Sequence, residues 1–410
     1  MKRLPLFYRK NEKIIASKTC KNIAETLISY YPDNKGPGWM NGLAGISCFF
    51  FHYYSFTREE KYKTHGYLAL EKILKSIDNG FSNPSFASGL AGVYWVFQYL
   101  GRKGFISTEE AGTLDGLKPM LISFAESKFQ QGDYDYLHGA LGVYTALQVQ
   151  IANEHFHSDD YLDNLTNTII RELTRLAIKN PDKSIFWESE DLITGLKEIN
   201  LGLAHDLPSI LLILSRIYAC TKNTVILKDL IEPGMNFLLS NRIENDHNFS
   251  VFPIRLIDGI AQSPSRMAWC YGDAGISLAL MQIGENCSKH DWTLQGISLL
   301  KKACSRRVKK ETMVSDACLC HGSSGLGLIY YYAALTTGHG PFFETAYYWT
   351  KKSLDFGQNM AIPGGYLFKV DGDEFKPGYN MLEGIAGVGL FLMAIMEGKL
   401  PGWEQGLLFP

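Results

Sequence analysis

Seven times along this 410-residue chain a short motif of small residues opens a run of about ten to a dozen mainly apolar positions. The motifs are Asn41-Gly42-Leu43-Ala44-Gly45, Ser88-Gly89-Leu90-Ala91-Gly92, His138-Gly139-Ala140-Leu141-Gly142, His205-Asp206-Leu207-Pro208-Ser209, Tyr271-Gly272-Asp273-Ala274-Gly275, His321-Gly322-Ser323-Ser324-Gly325 and Glu383-Gly384-Ile385-Ala386-Gly387. The runs they open, such as Gly92 to Leu100, Ser209 to Ala219, Gly275 to Ile283 and Gly387 to Met396, are apolar on every face, which predicts helices buried nearly all round. Each is preceded by a more amphipathic segment with a charged face: Glu60 to Ile77, Tyr161 to Lys179, Trp292 to Arg307 and Phe343 to Phe356. These predict outer helices that cover the inner ones.

One such pair is too small to bury its own apolar face, but pairs stacked side by side share a core. The predicted fold is all-α: an α/α toroid of seven outer and seven inner helices, forming a single domain over residues 1–410. A closed ring is the economical arrangement, because an open stack needs polar capping helices and neither terminus shows one clearly. Glycine in the motifs removes side chains where the chain enters a crowded interior and lets backbones approach closely.

The motifs start 47, 50, 67, 66, 50 and 62 residues apart. About 50 residues accommodate two helices and their turns, so the longer intervals locate insertions at about 180–202, 243–267 and 357–382. Asn248 to Ile257 and Tyr366 to Phe375 read as short strands within the last two. All three precede an inner helix, which places them at the end where those helices start.

A composition of 46% hydrophobic and 20% charged residues, with a formal net charge of −2, describes a soluble globular chain with ample core material. No basic excess points to nucleic acid or to an anionic membrane. The most apolar stretch, Ala44 to Phe56, is too short to span a bilayer. Met1 to Lys13 is basic but leads into no apolar signal region. The eight cysteines are therefore expected to be reduced thiols in a cytoplasmic protein.

If all inner helices run the same way, the residues just before each motif face a common cavity. Repeats five and six place Cys270, Cys320 and His321 at equivalent points, in Trp269-Cys270-Tyr271-Gly272 and Cys320-His321-Gly322. Two thiolates and an imidazole suit one zinc ion, Zn2+, and three protein ligands leave a fourth position open for water or a substrate thiolate. Buried cysteine is also a common small core residue, and Cys318 competes as a ligand or packs as a thiol. His205 in repeat four is equivalent to His321 and reads as an acid or base. Asp135 and Arg266 border the same cavity, or form a structural ion pair.

Ser265-Arg266-Met267-Ala268-Trp269-Cys270-Tyr271-Gly272-Asp273-Ala274-Gly275, Cys320-His321-Gly322 and Gly202-Leu203-Ala204-His205 closely resemble the motifs of the lanthipeptide cyclases, the LanC family. The resemblance spans essentially the whole chain. It implies zinc on Cys270, Cys320 and His321, with His205, Asp135, Arg266 and Tyr271 at the family's other active-site positions. It also implies intramolecular Michael addition of peptide cysteine thiols to dehydroalanine or dehydrobutyrine, giving lanthionine or methyllanthionine rings. The implied substrate is a dehydrated precursor peptide, leader plus core, with a lanthipeptide dehydratase and an exporter as further partners. One departure stands out: the family's His-Gly-x-Pro-Gly is His205-Asp206-Leu207-Pro208-Ser209 here. The family's SH2-like subdomain has no continuous counterpart, and the three insertions are its candidates. Alternative readings are a relative that adds glutathione to dehydroamino acids, a prenyltransferase-like subunit, which the cysteine-histidine-glycine motif disfavours, and a zinc-stabilised peptide-binding scaffold. Paired carboxylates of a glycoside hydrolase are not evident.

Overall fold

The computed structural model describes residues 10–29, 36–148, 160–190, 195–221, 224–243, 249–262, 264–359, 361–370 and 372–410. Parts of all three insertions (191–194, 244–248, 263, 360 and 371) lie outside that set. The helices come in pairs, the second of each headed by a motif. They are α1 (Lys10–Ser29) and α2 (Leu43–Thr57); α3 (Glu60–Asp78) and α4 (Leu90–Arg102), followed by the short α5 (Thr108–Gly112); α6 (Lys118–Gln130) and α7 (Ala140–Leu147); and α8 (Asp160–Leu176) and α9 (Leu207–Cys220). The series continues with α10 (Thr224–Ser240) and α11 (Asp273–Asn286); α12 (His290–Ala303), then, after the short α13 (Lys309–Thr312), α14 (Ser323–Thr337); and α15 (Gly340–Phe356) and α16 (Ile385–Glu397).

Burial separates the two kinds of helix as the apolar pattern predicts. Every residue of α16 from Ile385 to Met396 is buried, as is every residue of α11 from Asp273 to Gly284. In α3 only Tyr62, Gly66, Ala69, Leu70 and Ile73 are, at the three- and four-residue spacing of a single face. Two outer segments end sooner than predicted. Helix α8 stops at Leu176, so that Lys179 lies in a strand, and α12 stops at Ala303. Helix α15 starts earlier, at Gly340, because Pro341 fits the first turn, where no amide partner is needed.

Close approach explains the second motif glycine. A Cβ on Gly387 would lie 1.8 Å from the Met381 carbonyl oxygen, and one on Gly275 would lie 2.2 Å from that of Trp269. The approaching backbone is the motif's own upstream loop, six residues back, folded under the first helical turn. In repeat four Ser209 takes that place, and its hydroxyl donates to the carbonyls of His205 and Asp206 at 3.0 and 2.8 Å.

Among the described residues eight short strands arise in or just before the insertions: β1 (Ile178–Lys179), β2 (Ile185–Phe186), β3 (Ser189–Glu190), β4 (Lys197–Asn200), β5 (Arg255–Ile257), β6 (Ile260–Gln262), β7 (Phe368–Lys369) and β8 (Phe375–Lys376). β1 pairs with β2 and β7 with β8, both antiparallel. The insertions before motifs four and five, separate in sequence, join in one antiparallel sheet of order β3-β4-β5-β6, with Ile199 opposite Leu256 and Asn200 opposite Arg255.

The helices group into two compact units. One contains α1–α5 and α14–α16, and the other contains α6–α13 with the strands β1–β6. In the first, Trp39 and Trp95 pack with ring centroids 5.0 Å apart. In the second, a buried carboxylate organises the start of α11. Asp273 accepts from the backbone N–H groups of Val251 and Phe252 at 3.0 Å and from Arg306 at 2.9 Å, with both side chains of the ion pair nearly inaccessible.

Candidate functional site

The loop before α9 carries His205, whose Nδ1 lies 2.6 Å from Oδ2 of Asp135, seventy residues earlier. Asp135 is fixed by its other oxygen, which accepts from the His138 backbone N–H at 2.6 Å. Tyr136 N–H donates to the His205 carbonyl at 3.1 Å, so the loops of repeats three and four are joined on both sides of the imidazole. Burial pulls the His205 pKa down, but the hydrogen bond and charge of Asp135 outweigh it and raise it to about 9. The ring is therefore an imidazolium at neutral pH.

Asp206, the departure from the motif, is buried and accepts from the Ser189 hydroxyl at 2.5 Å. Burial, reinforced by the charge of Asp135, pushes its carboxyl up to about 7. The first motif glycine tolerates no side chain elsewhere: a Cβ at Gly272, where φ is +85°, would lie 1.9 Å from the Arg266 carbonyl oxygen. In repeat four the upstream segment is β4, and the space it leaves takes a carboxylate.

Tyr271 packs its ring against His205, with centroids 5.3 Å apart. It also presses on Gly202, where a Cβ would come within 2.7 Å of the ring. Its hydroxyl accepts from Asn200 Nδ2 at 3.2 Å. The neighbouring Cys270 is 5% exposed, and its carbonyl accepts from Ala204 N–H at 3.3 Å, which ties it to the His205 loop. Arg266 is half-buried and forms no ion pair with a described residue. The structural Asp135–Arg266 pair is thus not what forms; Asp135 turns to His205.

In the other unit the backbone N–H groups of Leu319 and Cys320 both donate to the Leu382 carbonyl, at 3.0 and 3.1 Å. Cys320 is 8% exposed and His321 is half-buried. His321 Nε2 lies 3.7 Å from Asp316 Oδ2, and Nδ1 lies 3.8 Å from Glu383 Oε1. Asp316 is wholly buried and accepts from Cys318 N–H at 2.9 Å and Lys369 N–H at 3.0 Å. Ligand atoms of Asp316, Cys318 and His321 lie within 4.8 Å of one another, so a cysteine and histidine cluster that can bind a metal is present. Carboxylates beside the imidazole suit a metal-binding histidine, whose second nitrogen is usually held by an acidic group.

A turn shared between repeats explains two of these residues. In repeats three, six and seven the side chain three positions before the motif accepts the N–H of the motif's first residue. Asp135 does so for His138, Cys318 for His321 at 3.3 Å and Asn380 for Glu383 at 2.7 Å. Cys318 is thus engaged as a packed thiol, and burial keeps its pKa well above the usual thiol range. Asp135 has the same local duty but a second oxygen to spare, and that one reaches His205. Asn200, Glu198 and Asp316 escaped the sequence reading. Only Asp316 left a signal, since it stands five residues before its motif, as Arg266 does before Tyr271.

The family model of lanthionine synthetase C-like proteins matches residues 33–408, and the chain belongs to that family. A relative, the nisin biosynthesis protein NisC of Lactococcus lactis subsp. lactis, is 26% identical over 359 residues, covering 80% of this chain and 78% of that protein. A solved structure, nisin cyclase, superposes with a TM-score of 0.72 at 21% identity, over 97% of this chain and 98% of the other. That likeness shows the fold: the all-α, α/α-toroid class with short β-containing insertions that the repeats predict. Among the described residues no helix is long and apolar enough to cross a membrane.

Proposed function

We propose that this protein is a zinc-dependent lanthipeptide cyclase. It closes thioether rings by adding a cysteine thiol of a dehydrated precursor peptide to a dehydroalanine or dehydrobutyrine of the same peptide. Family membership supports the reaction class, and the observation that carries the chemistry is the 2.6 Å His205–Asp135 pair beside Tyr271 and next to the Cys270 loop.

Cys270, Cys320 and His321 are the residues that would hold zinc. Each lies within two residues before a glycine that heads a buried helix, and two sulfurs with one imidazole form a donor set suited to that ion. A zinc ion so held supplies the Lewis acidity that keeps an incoming thiol as its thiolate. As the sulfur–Cβ bond forms, the alkene electron pair moves toward the carbonyl as an enolate, and the α-carbon must then gain a proton. No oxidant or reductant is needed. His205, protonated at neutral pH, serves as the acid that gives the α-carbon its own ring proton, and the proton the thiol gave up passes to solvent, from which the ring is reprotonated. Asp135 orients the ring and stabilises its charge, and Arg266 stabilises charge on the enolate or substrate. The dehydroamino acids must come from a separate dehydration of serine or threonine, and the compartment that fits these reactions is the cytoplasm.

Incubation with a dehydrated precursor peptide, followed by thiol alkylation and mass spectrometry, tests the proposal. Loss of alkylatable thiol without change of mass supports cyclisation. With free glutathione present, adducts in place of rings would assign the glutathione-adding activity instead. Full zinc occupancy with no product of either kind would leave a binding scaffold.

A further inference from the structure

We propose that Asn200 sets the direction of the Tyr271 hydroxyl and so makes Tyr271 a hydrogen-bond donor to the enolate oxygen of the reacting peptide. The proposal rests on the cyclase reading above and adds a positioning residue to it. Asn200 closes β4, is 6% exposed, and has all its amide groups engaged. Its Oδ1 accepts from Gly202 N–H at 2.8 Å, while Nδ2 donates to Glu198 Oε1 at 3.0 Å and to the Tyr271 hydroxyl oxygen at 3.2 Å. The amide cannot be turned over. The reverse orientation would set N–H against the Gly202 N–H and oxygen against the Glu198 carboxylate.

Glu198 is held in turn by Arg255, 2.5 Å away on β5, where Arg255 pairs in register with Asn200. A chain of polar contacts thus runs from the insertion sheet to Tyr271. Because Asn200 donates, the phenol oxygen accepts, and its own proton is directed elsewhere. Among the described residues that proton has no acceptor, and the side chain is half-buried, so solvent or substrate must take it. The ring cannot swing to change this, since it packs on Gly202 and beside His205. A donor fixed in advance favours the oxygen that gains negative charge during addition over the neutral carbonyl of the substrate. His205 then handles the proton on carbon while Tyr271 holds the charge on oxygen.

The test combines Tyr271→Phe, Asn200→Asp and the double variant, with zinc content and the steady-state constants for ring closure measured on each. Aspartate at 200 can only accept, so it turns the Tyr271 proton toward itself. Both single variants should keep zinc and lose kcat by on the order of a hundred-fold, the value of one oxyanion donor, with little change in KM. The double variant should be no slower than Tyr271→Phe. Wild-type kcat in Asn200→Asp, or a double variant slowed by the product of the two single losses, would overturn the assignment. Neutron diffraction of the deuterated wild-type protein reads the same point without activity. Deuterium on Asn200 Nδ2 directed at the phenol oxygen supports it, and a phenol deuteron directed at Asn200 refutes it. An inactive wild-type protein would remove the cyclase reading, and the neutron map would still decide the direction of the bond.

Discussion

Replacing Asp135 by asparagine removes a full negative charge 2.6 Å from His205 Nδ1 while leaving an oxygen to serve the His138 N–H. In the wild type His205 titrates at about 9, although burial alone would pull it below its ordinary 6.5. Without the carboxylate, burial is the dominant influence and the pKa falls to 6.5 or below. At pH 7 the wild-type ring is about 99% protonated and a ring at 6.5 roughly a quarter, and at pH 8 the ratio grows to about thirty-fold. The variant should therefore close rings several-fold more slowly at pH 7, with the deficit widening toward pH 8, because the protonated form is the one that delivers the proton.

The same shift is a stability statement. The folded-state pKa is raised, so the stabilisation is fully present below pH 6.5 and is lost as pH rises through about 9. It amounts to at most about 3.5 kcal/mol, since each pKa unit is worth about 1.4 kcal/mol. Urea midpoints of wild type and Asp135→Asn should differ most near pH 6 and converge above pH 9. Carbon-13 labelled histidine, with His205→Gln to assign the resonance, reads the pKa directly. An unchanged His205 titration in Asp135→Asn would refute the account, as would a rate deficit independent of pH.

Three further outcomes follow from the geometry. Cys320→Ser should lose zinc by metal analysis after gel filtration whereas Cys318→Ser keeps a full equivalent, and the opposite pattern would move the metal to the Asp316, Cys318 and His321 set. Arg306→Ala leaves Asp273 buried and uncompensated and should cost about 3–5 kcal/mol in chemical denaturation, with partial recovery when Asp273→Asn is added. Gly387→Ala drives a methyl group to 1.8 Å from the Met381 carbonyl oxygen, so a loss of about 1–3 kcal/mol or more is expected, and a melting temperature equal to wild type would contradict the close approach.

The inner helices were legible because an all-round apolar run behind a small-residue motif has few other uses, and α11, α14 and α16 are buried along nearly their whole length. His205 was legible from its repeat position, and Asp135 from its nearness to a motif. Their direct bond was not, because the seventy residues between them carry no local pattern that records it. Strands two to four residues long are too brief for alternation to reveal, so the joining of two insertions into β3–β6 had no trace in the sequence.

By itself, the sequence determined the repeat, the alternation of covered and covering helices, and the residue types waiting at each helix entrance. Those follow from local periodicity and from steric limits at single glycines. Only tertiary structure decided that Asp135 faces His205 rather than Arg266, that Asp206 fills the space the other repeats deny to a side chain, and that Asn200 fixes Tyr271. Hydrogen-bond partners and their direction depend on which backbones meet after folding, and distant segments of one chain leave no record of that in their order.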